Sequence, residues 1–351
     1  MNNLLYLILI PLAAGIITLI IPKKIKFLKE GIALLVTAFA VIVSIRLFMQ
    51  RPYTYALGKT LLLQMDSLSG FVTLFISVFG FLITFYSLGF MKDRENLNQY
   101  YGYLLMTIGG SIGAVLSNDL ILFLTFWGFL GLTLYLLINL GGPNAASASK
   151  KTLIIVGGTD ALMILGVAII WYLAKTFSIT KISLPLNNGL AIAAFITLAI
   201  GAFAKAGAIP FHTWIPDSSE VAPIPVVGLL PASLDKLLGI YFLARLSMNI
   251  FIVKPNSSMS IFLLSIGAVT VIAAVMMALV QNNMKRLLAY CAISQVGYMV
   301  LGIGTGNPIG IAGGIFHMLN HAIYKCCLFL SAGSVEHKKG TTKFDMLGGL
   351  S

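Results

Sequence analysis

The residues able to do chemistry stand where they are expensive to keep. Asp160, Lys205, Asp235, Lys236 and Lys325 fall inside stretches otherwise apolar enough to lie in a membrane. An ionisable group at bilayer depth costs at least about 2.5–3.5 kcal/mol on insertion scales, so it faces a partner or a water-filled path. A lysine in such a place can exchange a proton during turnover. The densest stretch runs from Ala202 to Arg245 and holds Lys205, Asp235 and Lys236 together with Pro210, Pro216, Pro223, Pro225 and Pro231. Each proline removes a backbone donor from any helix it enters. Broken helices and buried charge in one place point to the working centre of a transporter.

Lys205 precedes Pro210 by five residues. A helix break at that proline leaves the carbonyl near Ala206 without its donor and admits water. The competing reading is a lysine that snorkels from the end of its span. Asp235 and Lys236 are sequence neighbours and point about 100° apart on a helix, so at least one needs a partner on another element. Pro231, one turn earlier, is the second expected break. Asp160 lies in IIVGGTDALMILG beside Gly157 and Gly158, where it either joins an ion path or caps a helix break. Asp119 follows Ser117 and Asn118 and reads as a helix N-cap.

In GIFHMLNHAIYKCCLFLSAG, His317, His321 and Lys325 recur every four residues. They drift only about 40° and rise about 6 Å per step, so they line one face with water needed between them. Histidine titrates near neutral pH and suits a proton relay. A metal pair lacks both the glutamate of the zincin pattern and a third ligand. Two histidines on one face cannot both ligate a haem from opposite sides. A satisfied pair of structural histidines remains the bland reading. No metal and no cofactor is expected.

The elements that position these residues are membrane helices. The 351 residues are 58% hydrophobic and 10% charged, with a mean hydropathy of +0.96. A soluble domain carries about 25% charged residues. Spans need about 17–25 apolar residues. Eleven such runs occur: 3–22, 28–49, 67–91, 100–117, 119–140, 150–174, 189–210, 224–249, 259–281, 286–304 and 308–333. The first lacks a basic n-region and a cleavage site, so it reads as a helix and not as a removed signal peptide. Glycine pairs read as helix packing, and Cys291, Cys326 and Cys327 as small core residues.

The net charge of +12 is not a nucleic-acid footprint, because the basic residues sit in short loops. With the N-terminus outside, the inside loops hold thirteen of the 23 Lys and Arg residues: Lys23, Lys24, Lys26, Lys29, Lys92, Arg94, Lys150, Lys151, Lys285, Arg286, Lys338, Lys339 and Lys343. The outside loops hold seven: Arg46, Arg51, Lys59, Lys175, Lys181, Arg245 and Lys254. That bias favours N-out and C-in. The connections around 51–66 and 175–188 are too short for a soluble domain, so soluble catalysis would need another chain.

These motifs resemble a known family. AKAGAIPFHTWIPDSSEVAPIPV is similar to the seventh-to-eighth helix motif of the antiporter-like subunits of complex I, of membrane-bound energy-converting hydrogenases and of multisubunit sodium/proton antiporters. NNMKRLLAYCAISQVGYM and HMLNHAIYKCCLFLSAGSV resemble the tenth and eleventh helices, and DSLSGFVTLFISVFGFLITFYSLGFM the third. The resemblance implies an all-α bundle of two inverted five-helix repeats, each with one broken helix, moving protons or sodium ions. Helices one to three would occupy 1–99, the first repeat 100–250 and a partial second repeat 251–351. Lys205 matches the broken-helix lysine, Lys236 falls at or near the eighth-helix relay position, and His317 and His321 match the eleventh-helix histidines, with Lys325 in the adjoining motif.

Two departures stand out. The family pairs its broken-helix lysine with a glutamate after a fifth-helix tryptophan, but Gly128 follows Trp127 here. Either Asp160 or Asp235 replaces that carboxylate, or the first half-channel is impaired; replacement is the expectation. The sequence also stops at MLGGLS, where a twelfth, broken helix normally follows, so the second repeat is expected to be incomplete. The resemblance implies a non-redox, proton-translocating subunit of a respiratory or hydrogenase complex in an energy-transducing membrane. Its partners would be other membrane subunits and iron–sulfur subunits of a peripheral arm. Membership of a sodium/proton antiporter without redox coupling and a non-conducting scaffold role are the other readings.

Overall fold

The computed structural model describes residues 3–22, 25, 27–58, 60–92 and 94–348. Lys23, Lys24, Lys26 and Lys59, which enter the loop-charge comparison, lie outside the described residues. Helices occupy all eleven apolar runs: α1 (Asn3–Ile20), α2 (Leu28–Met49), α3 (Ser67–Phe90), α4 (Leu97–Leu116), α5 (Leu120–Asn139), α6 (Ala146–Ala174), α7 (Gly189–Ala206), the short α8 (Trp214–Val221), α9 (Ile224–Leu229), α10 (Asp235–Arg245), α11 (Ser258–Leu279), α12 (Met284–Gly304) and α13 (Pro308–Lys339). Nine helical segments among the described residues are long and apolar enough to cross a membrane. The expected eleven are not reached on that criterion, because α4 and α13 are too polar. Asn98, Gln99 and three tyrosines dilute α4, and three histidines, three lysines and Glu336 dilute α13.

Helix starts follow the capping chemistry that lipid demands, since unpaired N–H groups there have no water to bind. Asp66 caps α3 in a reciprocal box with Ser69, and Asp119 accepts from the N–H groups of Ile121 and Leu122 at 2.9 and 3.0 Å. The connection at 51–66 is a hairpin that the sequence reading missed: β1 (Tyr53–Leu57) pairs antiparallel with β2 (Thr60–Met65). Of the three cysteines only Cys326 is in the core. Cys291 is half-buried and Cys327 exposed, so the reading of all three as core residues fails.

Two expectations about breaks change. The seventh span ends at Ala206, before Pro210, because Gly207 at φ +85° turns the chain out of the helix. Its N–H and that of Ala208 both return to the Phe203 carbonyl, at 2.7 and 2.9 Å. Pro210 lies in the connecting turn. Pro231 does not break its helix either. It opens a π-helical turn, Leu230–Leu234, between α9 and α10, where Ser233 Oγ donates to the Gly228 carbonyl at 2.7 Å. The extra residue absorbs the missing donor. A second π turn, Leu246–Ile250, extends the column. The segment Ile224–Ile250 is buried along its most apolar stretch and packs on α3, α4, α7, α12 and α13. It is the axis of the bundle.

Candidate ion-translocation site

Close approach of α10 to α7 builds the centre. A Cβ at Gly239 would lie 2.7 Å from the Ala202 carbonyl oxygen, so only glycine lets the two backbones come this near. Lys205 and Lys236 are both fully enclosed, which rules out snorkelling for Lys205. The Lys205 ammonium interacts electrostatically with Asp235 on α10 and Asp160 on α6, and sits 5.2 Å from the centre of the Trp127 ring. Lys236 Nζ lies against the broken helix, 3.3 Å from where a Cβ on Gly207 would be. The Trp214 ring centre is 6.0 Å from the same ammonium.

Asp160 occupies the space opposite the fifth-helix glycines. A Cβ at Gly128 would stand 3.9 Å from Asp160 Oδ2, and one at Gly131 3.7 Å. The Trp127 indole lies beside the same carboxylate but makes no hydrogen bond of acceptable geometry. Four of these groups have a buried polar atom without a partner: Lys205 Nζ, Lys236 Nζ, Asp235 Oδ2 and Asp160 Oδ1. The five ion pairs among the described residues all lie elsewhere, near helix ends.

The three members of the α13 face part company. His321 is fully enclosed, with both ring nitrogens unpartnered, and feels the charges of Lys236, Lys325 and His317. Lys325 is buried near Tyr324, 5.7 Å from its ring centre. His317 is only half-buried. Its Nε2 is 2.8 Å from Gln295 Oε1 on α12, and it lines an open groove of about 500 Å³ with Gln295 and Tyr298. The row therefore runs Asp160, Lys205, Asp235, Lys236, His321, then Lys325 and His317.

Sequence reasoning missed the residues that hold this row. Trp214 Nε1 donates to the Ala204 carbonyl at 3.0 Å and thereby fixes the end of α7. His212, in the turn between α7 and α8, is buried with Nδ1 unpartnered. On α8, Asp217 bonds both Lys151 on α6 (2.7 Å) and Arg286 on α12 (3.3 Å), and Glu220 takes Arg286 at 2.9 Å. Spacing offered one signal, the tryptophan and histidine inside the proline-rich stretch. The ion pairs span 66 to 69 residues and no local pattern shows them.

Two cavities flank the row. One of about 560 Å³ is lined by Arg94, Glu220, Lys285, Glu336 and His337. The other, about 230 Å³, is lined by Asp66, Asn118, Tyr241 and Arg245. They lie at opposite ends of α3, α5 and the α9–α10 column.

A helical membrane bundle with a break after α7 and enclosed lysines beside carboxylates is the arrangement expected of the antiporter-like membrane subunits. Comparison with known proteins agrees. The profile of the NADH:quinone oxidoreductase/Mrp antiporter transmembrane family matches residues 117–351, and that of the complex I chain 5 N-terminus matches 57–101. The chain belongs to the NADH:quinone oxidoreductase/Mrp antiporter family. It is 34% identical over 322 residues to one of the subunits of the Na(+)/H(+) antiporter of Alkalihalophilus pseudofirmus, covering 85% of this chain and 39% of the relative. The chain thus spans about two fifths of that relative's length. Among solved structures, a component of the archaeal membrane-bound sulfane sulfur reductase superposes with a TM-score of 0.88 at 25% identity, covering 99% of this chain and 74% of that one. A chain of the Mrp complex from Dietzia sp. DQ12-45-1b gives a TM-score of 0.86 at 24% identity, covering 96% and 38%, and shows the fold alone.

Proposed function

We propose that this chain is an ion-translocating subunit of a multisubunit complex in an energy-transducing membrane, and that protons move along the row from Asp160 to His321. One observation carries the reading: two enclosed lysines and two carboxylates on α6, α7 and α10 stand near one another without closing into ion pairs. A buried charge left unpaired is costly, so a row kept in this state is one that water reaches and protons cross. Asp160 takes the place of the absent fifth-helix glutamate. Lys205, between Asp160 and Asp235, can be held by either carboxylate in turn. Asp235 adjoins both lysines, and His321 receives from Lys236 on the far side. The N-terminus faces outside and the C-terminus inside, with the partners being other membrane subunits.

Two settings fit this chemistry. Coupling to a redox arm with iron–sulfur subunits is favoured by the likeness to an archaeal respiratory complex. Sodium/proton exchange without redox coupling is favoured by the 34% identity to an antiporter component.

The test is transport by the purified complex in proteoliposomes. Lys205→Ala and Lys236→Ala should each lower proton translocation by about 10²-fold or more with assembly intact. Wild-type rates in both assembled variants would leave the chain a scaffold. Iron–sulfur proteins in the purified complex select the redox setting, and sodium-dependent proton flux without them selects antiport.

A further inference from the structure

The smaller cavity and the aromatic cluster above it have no part in the row itself. Asn118 on the cavity wall leads directly into α5, whose Phe123 lies about 7.5 Å further along the axis and Trp127 one turn beyond. From the other direction α10 carries Lys236, then Phe242 about 9 Å on, then Arg245 at the cavity about 4.5 Å further. Phe123, Trp127 and Phe242 meet between these levels. Their ring centres are 4.4 Å apart for Phe123 and Phe242, 5.1 Å for Phe123 and Trp127, and 5.4 Å for Trp127 and Phe242. All three are enclosed. Lys205 Nζ sits 5.2 Å from the Trp127 ring centre, at the edge of the cluster.

Below the cluster the wall is polar and tied. Arg245 pairs with Asp66 at 2.6 Å and donates to the Tyr241 hydroxyl at 3.0 Å. That hydroxyl donates to the Val115 carbonyl at 2.6 Å. Gln64, also on the wall, keeps a buried Oε1 without a partner. A polar chamber with an unsatisfied acceptor holds water, whereas a packed aromatic constriction excludes it and blocks ions by staying dry.

We propose that the Asp66–Tyr241–Arg245 cavity is the water-filled access chamber of the ion path on its membrane face, and that Phe123, Trp127 and Phe242 form the dry gate between it and Lys205. This rests on the translocation reading above. The gate keeps protons on the lysine row from equilibrating with that face until the rings part. Its removal produces a leak, whereas removal of a row member produces a loss of transport.

The experiment measures passive proton influx into proteoliposomes holding the whole complex, under a potassium diffusion potential and with a trapped pH dye. Phe123→Ala/Phe242→Ala should raise the leak severalfold. Phe79→Ala, an equal truncation of an enclosed ring on α3, should not. Phe242→Tyr adds a hydroxyl without removing volume and should also leak, which keeps the test usable if the double variant fails to assemble. Adding Lys205→Ala should remove the leak. A wild-type leak in assembled Phe242→Tyr, an equal leak in Phe79→Ala, or a leak indifferent to Lys205→Ala would overturn the gate. Failure of the translocation reading has a different signature, normal transport in both Lys205→Ala and Lys236→Ala with the gate intact.

Discussion

The Asp160 carboxylate fills the space beside Gly128, with Oδ2 3.9 Å from the position a Cβ there would take. A side chain added at Gly128 would therefore reach the place where the acid of α6 now sits, so one carboxylate can be exchanged for another across the α5–α6 interface.

The exchange predicts a rescue. Asp160→Ala should lower proton translocation by about 10²-fold. Gly128→Glu combined with Asp160→Ala should recover a substantial part of it, since the new carboxylate would again face Lys205. Gly128→Gln in the same background should not. Transport assays on the three variants decide, and equal rates in Glu and Gln would sink the substitution argument.

Gly207 should tolerate no side chain. It holds φ +85°, and a Cβ would lie 1.9 Å from Ile215 Cδ1 and 3.3 Å from Lys236 Nζ. Backbone strain of about 1–2 kcal/mol adds to the forced movement of the Ile215 side chain. Gly207→Ala is expected to lower both the melting temperature and the transport rate. Unchanged values in both would show that the turn can rearrange.

The two histidines of α13 should separate. His321→Gln retains a hydrogen-bonding group but cannot carry a proton near neutral pH, and it should lower transport sharply. His317→Gln, at the half-buried groove position bonded to Gln295, should have the smaller effect on transport by this chain. A larger loss at His317 would reverse the order of the row.

Asp66 gives the fold a dependence on acid. Burial raises its affinity for a proton, but the guanidinium of Arg245 and the Ser69 hydrogen bonds outweigh burial and hold the carboxyl below its ordinary value. The folded pKa is thus lower than the unfolded one. The stabilisation is fully present above the unfolded value of about 3.9 and disappears as pH falls through the folded value. Asp66→Asn should lower the melting temperature at pH 7, and the gap to wild type should close at strongly acidic pH. A gap independent of pH would assign the loss to the helix cap alone.

Much of this was legible in the sequence for identifiable reasons. Hydropathy marks spans because lipid penalises every unpaired backbone group, so the helices fell within a few residues of the apolar runs. Lys205, Asp235 and Lys236 stood out because charge is rare in such runs. What the sequence hid was long-range or conformational. The positive φ of Gly207, which ends α7 ahead of Pro210, has no mark in the sequence, and Pro231 reads as a break where a π turn absorbs it. The aromatic cluster joins Phe123 and Trp127 to Phe242, more than a hundred positions away, and no periodicity predicts that meeting.

The short α8 is tied at both ends of its reach. Lys151 of α6 and Arg286 of α12 take the two oxygens of the same Asp217 carboxylate, while Trp214 at the start of α8 grips the last turn of α7. Half-exposed ion pairs are individually weak, so this linkage behaves as a slack mooring and not as a weld. Three helices therefore meet on α8: α6 and α12 through Asp217, and α7 through Trp214, whose ring lies 6.0 Å from the Lys236 ammonium. The eight-residue α8 thus joins α6 and α12 to the end of α7, in addition to the direct packing of α6 on α7 and of α12 on α10.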